Sequence, residues 1–285
     1  MPITPQSPTE STEHSFETPD DVRAGLAGRS VLITGGSRGF GREMARAFLE
    51  RGARVLITGR DQDALASTRA ELAPYGDLRT AVVDSTDEGA LRELAARLLA
   101  DWGGTDVLVA NAGASGPIGP AWENDPAHWW ATHEVNVRGT FLTCHAFVPQ
   151  LLARGGRILV ISSNAGMHRW PHLSAYSVSK AAGIKLAENL AAELRPHGVH
   201  VFAYHPGLLT IGMSSALMET TAEEDSWEGK AKHWLLRERA QGRTTSTDVG
   251  VRGALLLAAG VADHLTGQYL TSDHPDLTWL PALPS

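Results

Sequence analysis

Short β-branched runs that alternate with longer Ala-, Leu- and Arg-rich stretches predict an α/β fold. The expected architecture is a doubly wound parallel sheet of about seven strands with helices on both faces. Two observations carry this. The strand candidates are nearly continuous apolar runs, not alternating ones, as expected of strands covered on both faces. The stretches between them are helix-periodic with short connections, which in a parallel sheet implies right-handed crossovers.

The elements follow in order. "SVLIT" (30–34) opens the sheet and leads into a helix over 40–51. "ARVLIT" (53–58) and a helix at 61–73 repeat the unit, and "LRTAVVD" (78–84) starts the third. In the helix over 87–101, Leu91, Leu94, Leu98 and Leu99 fall at helical spacing with Arg and Glu on the other side. "DVLVAN" (106–111) precedes a helix over 126–153, and "GRILVIS" (156–162) one over 174–196. "VHVFAYH" (199–205) and the short "QYLTS" (268–272) complete the set. Between these last two, residues 207–245 hold Gly, Met, two Trp and many charges, and read as a helical insert or lid. Residues 26–285 are expected to form a single domain. The polar, acidic segment 1–25 has little apolar surface to offset the entropy of ordering and is expected to be disordered.

Composition excludes several classes. A net charge of −7 argues against nucleic-acid partners, which would need a basic face. One cysteine, Cys144, rules out an internal disulfide, and no C-x-x-C motif is present. A reducing, cytoplasmic setting is expected. No secretory signal is recognisable, and no run approaches the ~20 apolar residues of a membrane span.

The stretch "TGGSRGFG", Thr34 to Gly41, admits two readings. As G-x-S-x-G it would present Ser37 as the nucleophile of a hydrolase, with an acid and a histidine such as Asp248 and His264 further on. But a nucleophile elbow normally follows several strands, and one precedes Ser37. As a glycine turn between the first strand and its helix it would let a pyrophosphate approach the backbone, with the helix N-terminus aimed at the phosphates. Further on, "ISSNAGMHRWPHLSAYSVSK" runs from a strand end through a loop into a helix. Tyr176 and Lys180, four apart, share one helical face. A lysine ammonium there favours the phenolate and lowers the tyrosine pKa from about 10 toward the working pH. A tyrosine so tuned is a workable general acid and base for a carbonyl/alcohol pair, and Ser163 is placed to hydrogen-bond the carbonyl oxygen.

Together these residues resemble the short-chain dehydrogenase/reductase family over roughly residues 28–272. The turn Thr34–Gly41 is similar to that family's T-G-x-x-x-G-x-G, and Asp84 to its adenine-contacting acid. Asn111, Ala112 and Gly113 match its N-A-G, Asn136 its helix asparagine, Ser163, Tyr176 and Lys180 its catalytic set, and Pro206-Gly207 the P-G beside the nicotinamide. The resemblance implies a Rossmann-type fold and a nicotinamide cofactor that supplies or accepts the hydride. It implies that Tyr176 exchanges the proton, Ser163 polarises the oxygen, Lys180 holds the ribose and tunes Tyr176, and Asn136 anchors a water that relays protons. Gly35, Ser37, Arg38, Gly39, Phe40, Gly41, Ser85, Leu209 and Thr210 complete the expected cofactor contacts. Thr210 stands one residue earlier than the family's threonine, and Ile211 occupies the usual place.

At the end of the second strand stands Gly59, not an acid, followed by Arg60. With Arg38 this favours NADP(H) over NAD(H), because a carboxylate there would repel a 2′-phosphate and an arginine pairs with it. Asp61 is the competing candidate for the acidic role. Met167, His168, Trp170 and His172, with Trp227 and Trp234, make a largely apolar candidate pocket for a fairly large or cyclic carbonyl compound. Metal binding by His168 and His172 is not expected. The resemblance also implies a ketoreductase that forms homotetramers or dimers through its long helices. The alternatives are a dehydratase, cyclase or regulatory protein of the same fold.

Overall fold

The computed structural model describes residues 19–278. Seven parallel strands form one sheet: β1 (Ser30–Ile33), β2 (Arg54–Gly59), β3 (Leu78–Val82), β4 (Val107–Ala110), β5 (Gly156–Ile161), β6 (Val199–His205) and β7 (Tyr269–Thr271). Their order is β3-β2-β1-β4-β5-β6-β7. The helices are α1 (Pro19–Leu26), α2 (Gly39–Glu50), α3 (Gln62–Leu72), α4 (Glu88–Trp102), α5 (Pro126–His133), α6 (Gly139–Arg154), α7 (Ser174–Leu194), α8 (Met213–Glu219), α9 (Trp227–Ala240) and α10 (Thr247–Ala259).

The continuous apolar runs are explained by burial on both faces. Along β1, Val31 and Ile33 join one core with Phe48 of α2 and Leu256 of α10, while Leu32 faces the other core with Leu94 of α4 and Phe147 of α6. Every one of these side chains is 3% exposed or less, so no polar face had to be written into the strands.

Two expectations are corrected. The ordered chain starts before residue 26: Pro19–Leu26 is a helix, with Val22 and Leu26 buried and Gly25 close against Ala259 of α10. Those two apolar side chains give the segment a hydrophobic face that its polar composition hid; residues 1–18 lie outside the described residues. The helix expected over 126–153 is divided by a π-turn, Glu134–Arg138, which carries Asn136 inward. The strand order reverses between β1 and β4, which pair side by side, and the carboxyl ends of the strands at such a switch point are the usual place for a ligand crevice in such folds.

Candidate active site

The glycine turn after β1 is built against neighbouring backbone. A Cβ on Gly35 would lie 2.9 Å from Ala112 Cα, on Gly36 2.6 Å from Ile57, and on Gly41 2.4 Å from Gly35 O. Gly35 and Gly39 also have positive φ, 65° and 55°. The helix that follows, α2, opens without a side-chain cap: its N-cap is Arg38, whereas α3, α4, α5, α9 and α10 each open with an Asp or Ser side chain accepting a backbone N–H, and α6, α7 and α8 share the lack of a cap. The free N–H groups and positive dipole end of α2 suit the phosphates of a dinucleotide. The residues present therefore fit that group.

Around this turn several predicted residues act through backbone or packing. Asn111 Nδ2 donates to Thr34 O (2.8 Å) and Gly35 O (3.1 Å), so its side chain ties β4 to the turn and does not face the crevice. Ser37 O accepts from Thr68, and Ser37 Oγ lies beside Gly59. Phe40 packs on the edge of the core. Ser85, buried, abuts Gly139. The Leu209 side chain is buried toward Gly250 of α10, leaving its backbone alone to reach a ligand.

Asp61 is resolved by its contacts. Its Oδ1 accepts from Asp63 N and Ala64 N, both at 3.0 Å, making it the N-cap of α3. Arg60, exposed, reaches Asp84 across the mouth of the crevice at 3.8 Å, and Arg38 is exposed beside the turn.

Ser163, Tyr176 and Lys180 meet where β5 ends against α7. Ser163 Oγ accepts from Ala165 N (3.2 Å) as the cap of the short turn Asn164–Gly166, and Ser163 stands near enough to the Tyr176 phenol to favour its ionised form. Because the N–H occupies an acceptor site on Oγ, the serine O–H is left to donate. Lys180 is buried; its Nζ donates to Ile161 O (2.8 Å) and lies 5.6 Å from the centroid of the Tyr176 ring.

Here the electrostatics differ from expectation. Burial raises the Tyr176 pKa above its ordinary value, and the group that opposes this is Ser163, not Lys180. Burial also lowers Lys180 to about 8.

Asn136 is likewise occupied. Its Oδ1 accepts from Ala114 N (2.7 Å), and its Nδ2 donates to Ala114 O (2.8 Å) and Ser179 Oγ (2.9 Å). It clasps the loop after Gly113 to α7, while its own carbonyl accepts from Thr140. Near Pro206, Gly207 (φ 95°) leaves room for Thr245: a Cβ would stand 2.1 Å from Thr245 Oγ1. Thr245, which the sequence did not single out, brings a hydroxyl to the P-G turn and donates its N–H to Leu208 O at 2.9 Å; only the closure of the insert could reveal it.

The candidate pocket residues divide. Trp170 meets Trp234 edge-on at 5.0 Å, and His172 stacks on Trp227 at 3.9 Å, with Lys230 over the same ring. These four fasten the insert to the loop before Tyr176, so the tryptophans pack on that loop instead of standing open. Among the described residues His172 is the one non-glycine residue at positive φ (68°), a strain that places its ring against the insert. Met167 and His168 are exposed and outside these contacts.

The hydrolase set is not assembled. Ser37 follows the carboxyl end of β1, while His264 precedes β7 at the opposite end of the parallel sheet and pairs with Asp276 at 3.1 Å. Among the described residues no group of three His, Cys, Asp or Glu could hold a metal, and no helix is long and apolar enough to cross a membrane.

Comparisons agree with this geometry. A family model described as "short chain dehydrogenase" matches residues 29–222. The short chain dehydrogenase mpl6 of Monascus purpureus is 37% identical over 224 residues, covering 74% of this chain and 77% of its own. Dehydrogenase/reductase SDR family member 4 of Sus scrofa is 31% identical over 249 residues, 86% of each chain. The solved structure of NAD+-bound xylitol dehydrogenase superposes with a TM-score of 0.77 at 25% identity, covering 86% of this chain and 98% of that one.

Proposed function

The chain belongs to the short-chain dehydrogenase/reductase family, an oxidoreductase class, and we propose that it interconverts a ketone or aldehyde and its alcohol with NADP(H). The observation that carries this is the meeting of Ser163, Tyr176 and buried Lys180 where β5 ends against α7, with Lys180 Nζ 5.6 Å from the Tyr176 ring centroid. The nicotinamide, when bound, supplies or takes up the hydride. Tyr176 Oη gives its proton to the substrate oxygen in reduction and takes it back in oxidation, while Ser163 Oγ donates to that oxygen and orients it. Lys180, still largely protonated at neutral pH, holds the ribose and returns the proton to Tyr176. Asn136 keeps the loop after Gly113 and α7 in register. Gly35 through Gly41 would hold the pyrophosphate, Asp84, Ser85 and the 111–113 backbone would hold the adenosine, and Pro206, Gly207, Leu209 and Thr210 would support the nicotinamide. The 207–245 insert is the substrate lid over a fairly large, apolar carbonyl compound.

Thermal-shift titration with NADPH and NADH, followed by a carbonyl panel, tests the reading. At 100 times its dissociation constant a cofactor adds about 2.7 kcal/mol. Binding of neither would overturn it; binding without turnover would favour a regulatory role.

NADP(H) preference rests on Gly59, on Asp61 being used as a cap, and on Arg60 at the mouth. Arg60→Ala should weaken NADPH by about tenfold and leave NADH nearly unchanged, the scale of one charge-assisted pair. Equal losses would place this chain with NAD-binding relatives such as the xylitol dehydrogenase.

Phe141 and Leu152 of α6 and Val178 of α7 are 41–49% exposed. This face is where two copies pair. Phe141→Glu with Val178→Glu should shift the protein toward monomer in light scattering; an unchanged mass would discard this face.

A further inference from the structure

The last strand reaches back to the catalytic turn. Tyr269 Oη of β7 donates to Asn164 Oδ1 at 2.7 Å, and Asn164 directly follows Ser163. Tyr269 pairs with Ala203 of β6 and packs on the core that α7 covers, the side from which Lys180 projects. It lies beyond residue 222, where the family match ends.

The turn Asn164–Gly166 is held from three directions. Ser163 Oγ caps it at Ala165 N. Gly166 sits so close to α7 that a Cβ would be 2.8 Å from the backbone of Lys180 and Ala181. The third hold is the Tyr269 bond to Asn164, whose own carbonyl accepts from Met167 N (3.0 Å) and His168 N (2.9 Å). The first two fix the turn along its axis and against α7; the third ties it to the sheet edge.

We propose that Tyr269 is a positioning residue for the reaction: through Asn164 it holds the turn that aims Ser163 at the Tyr176 phenol. The inference rests on the oxidoreductase reading above. The chemistry of the pair suits the role. An amide oxygen can only accept, so Tyr269 must donate. Burial, with Tyr176 and Asp273 nearby, keeps Tyr269 from ionising, so it remains a donor throughout the working pH range. Of the other titratable groups on this side, His205 is held to about 4 by burial and stays neutral, and Lys180, at about 8, is unchanged by the substitutions below.

The test uses the full chain with Tyr269→Phe, Asn164→Ala and the double variant. NADPH affinity is read by fluorescence titration, and kcat for oxidation of an alcohol that the wild type turns over is read against pH. Each single variant should keep NADPH affinity within about twofold and lose about tenfold in kcat, the scale of one buried hydrogen bond. The acidic limb should move to higher pH, because a loosened Ser163 no longer favours the phenolate. The double variant should be no worse than the poorer single one. Unchanged kcat and limb, or losses that multiply in the double variant, would overturn the inference. If the wild type itself neither binds NADPH nor turns over any alcohol, the underlying reading falls and takes this inference with it. That failure is seen without any variant.

Discussion

Tyr176→Phe should bind NADPH within about twofold of the wild type and lose turnover by ~10³-fold or more, since general acid–base catalysis alone contributes about 10²–10⁴. Phenylalanine keeps the ring and its packing over Lys180 but removes the one group that exchanges a proton with the substrate oxygen. Ser163 remains and still polarises that oxygen, so a small residual rate is expected. In the wild type, burial raises the phenol and Ser163 opposes it. The phenol is therefore protonated at neutral pH, the state that reduction needs. Reduction should slow at high pH as the phenol ionises, and oxidation should slow at low pH as the phenolate is lost. NADPH absorbance followed by stopped flow against pH reads both limbs, as its loss in reduction and its gain in oxidation. Turnover unchanged in Tyr176→Phe would end the mechanism.

Lys180→Met should inactivate the enzyme and yet stabilise the cofactor-free protein at pH 7. The folded value of about 8 lies below the ordinary 10.5, so the buried ammonium costs stability. Between pH 8 and 10.5 the unfolded chain holds a proton that the folded chain has shed, and stability rises with pH across that window. Below pH 8 both states are protonated and the whole cost stands, on the order of 3 kcal/mol at about 1.4 kcal/mol per pKa unit. Methionine removes that cost and loses the bond to Ile161 O, worth about 1 kcal/mol, for a net gain of about 2 kcal/mol. For a domain of this size that is about 2–4 °C in Tm. The gain should shrink as pH rises above 8 and be gone before 10.5, where the burial cost has vanished and only the lost bond remains. A Tm at pH 7 equal to or below the wild type's would show that burial of Lys180 carries no such cost.

How much was legible in the chain follows from how local each signal is. The seven strands appear within a residue or two of their expected bounds; the central ones are covered on both faces and so apolar along their length, while the edge strand β3, with Arg79 and Val82 exposed, is legible from its β-branched run. The glycine turn was legible because positive φ and close backbone contact leave few other residues possible. The helix at Pro19–Leu26 was missed because two buried side chains, Val22 and Leu26, give too short a pattern to stand out from a polar tail. The π-turn around Asn136 was missed because it follows from how α5 and α6 seat on α7, and no local propensity encodes it.

By itself the sequence determined the sheet, its parallel sense, the phosphate-type turn and the spacing that puts Tyr176 and Lys180 on one helical face. Each depends on residues within a turn or a strand of one another. Only the tertiary structure decided what those residues touch. It turned Asn111 and Asn136 into clasps, assigned Asp61 to a helix cap, and fastened the tryptophans of the insert to the catalytic loop. It also brought Tyr269 to Asn164, 105 residues apart in the chain. Such contacts, and the desolvation that moves Tyr176 and Lys180 in opposite directions, arise from distant segments brought together in one core, and nearest-neighbour pattern carries no record of them.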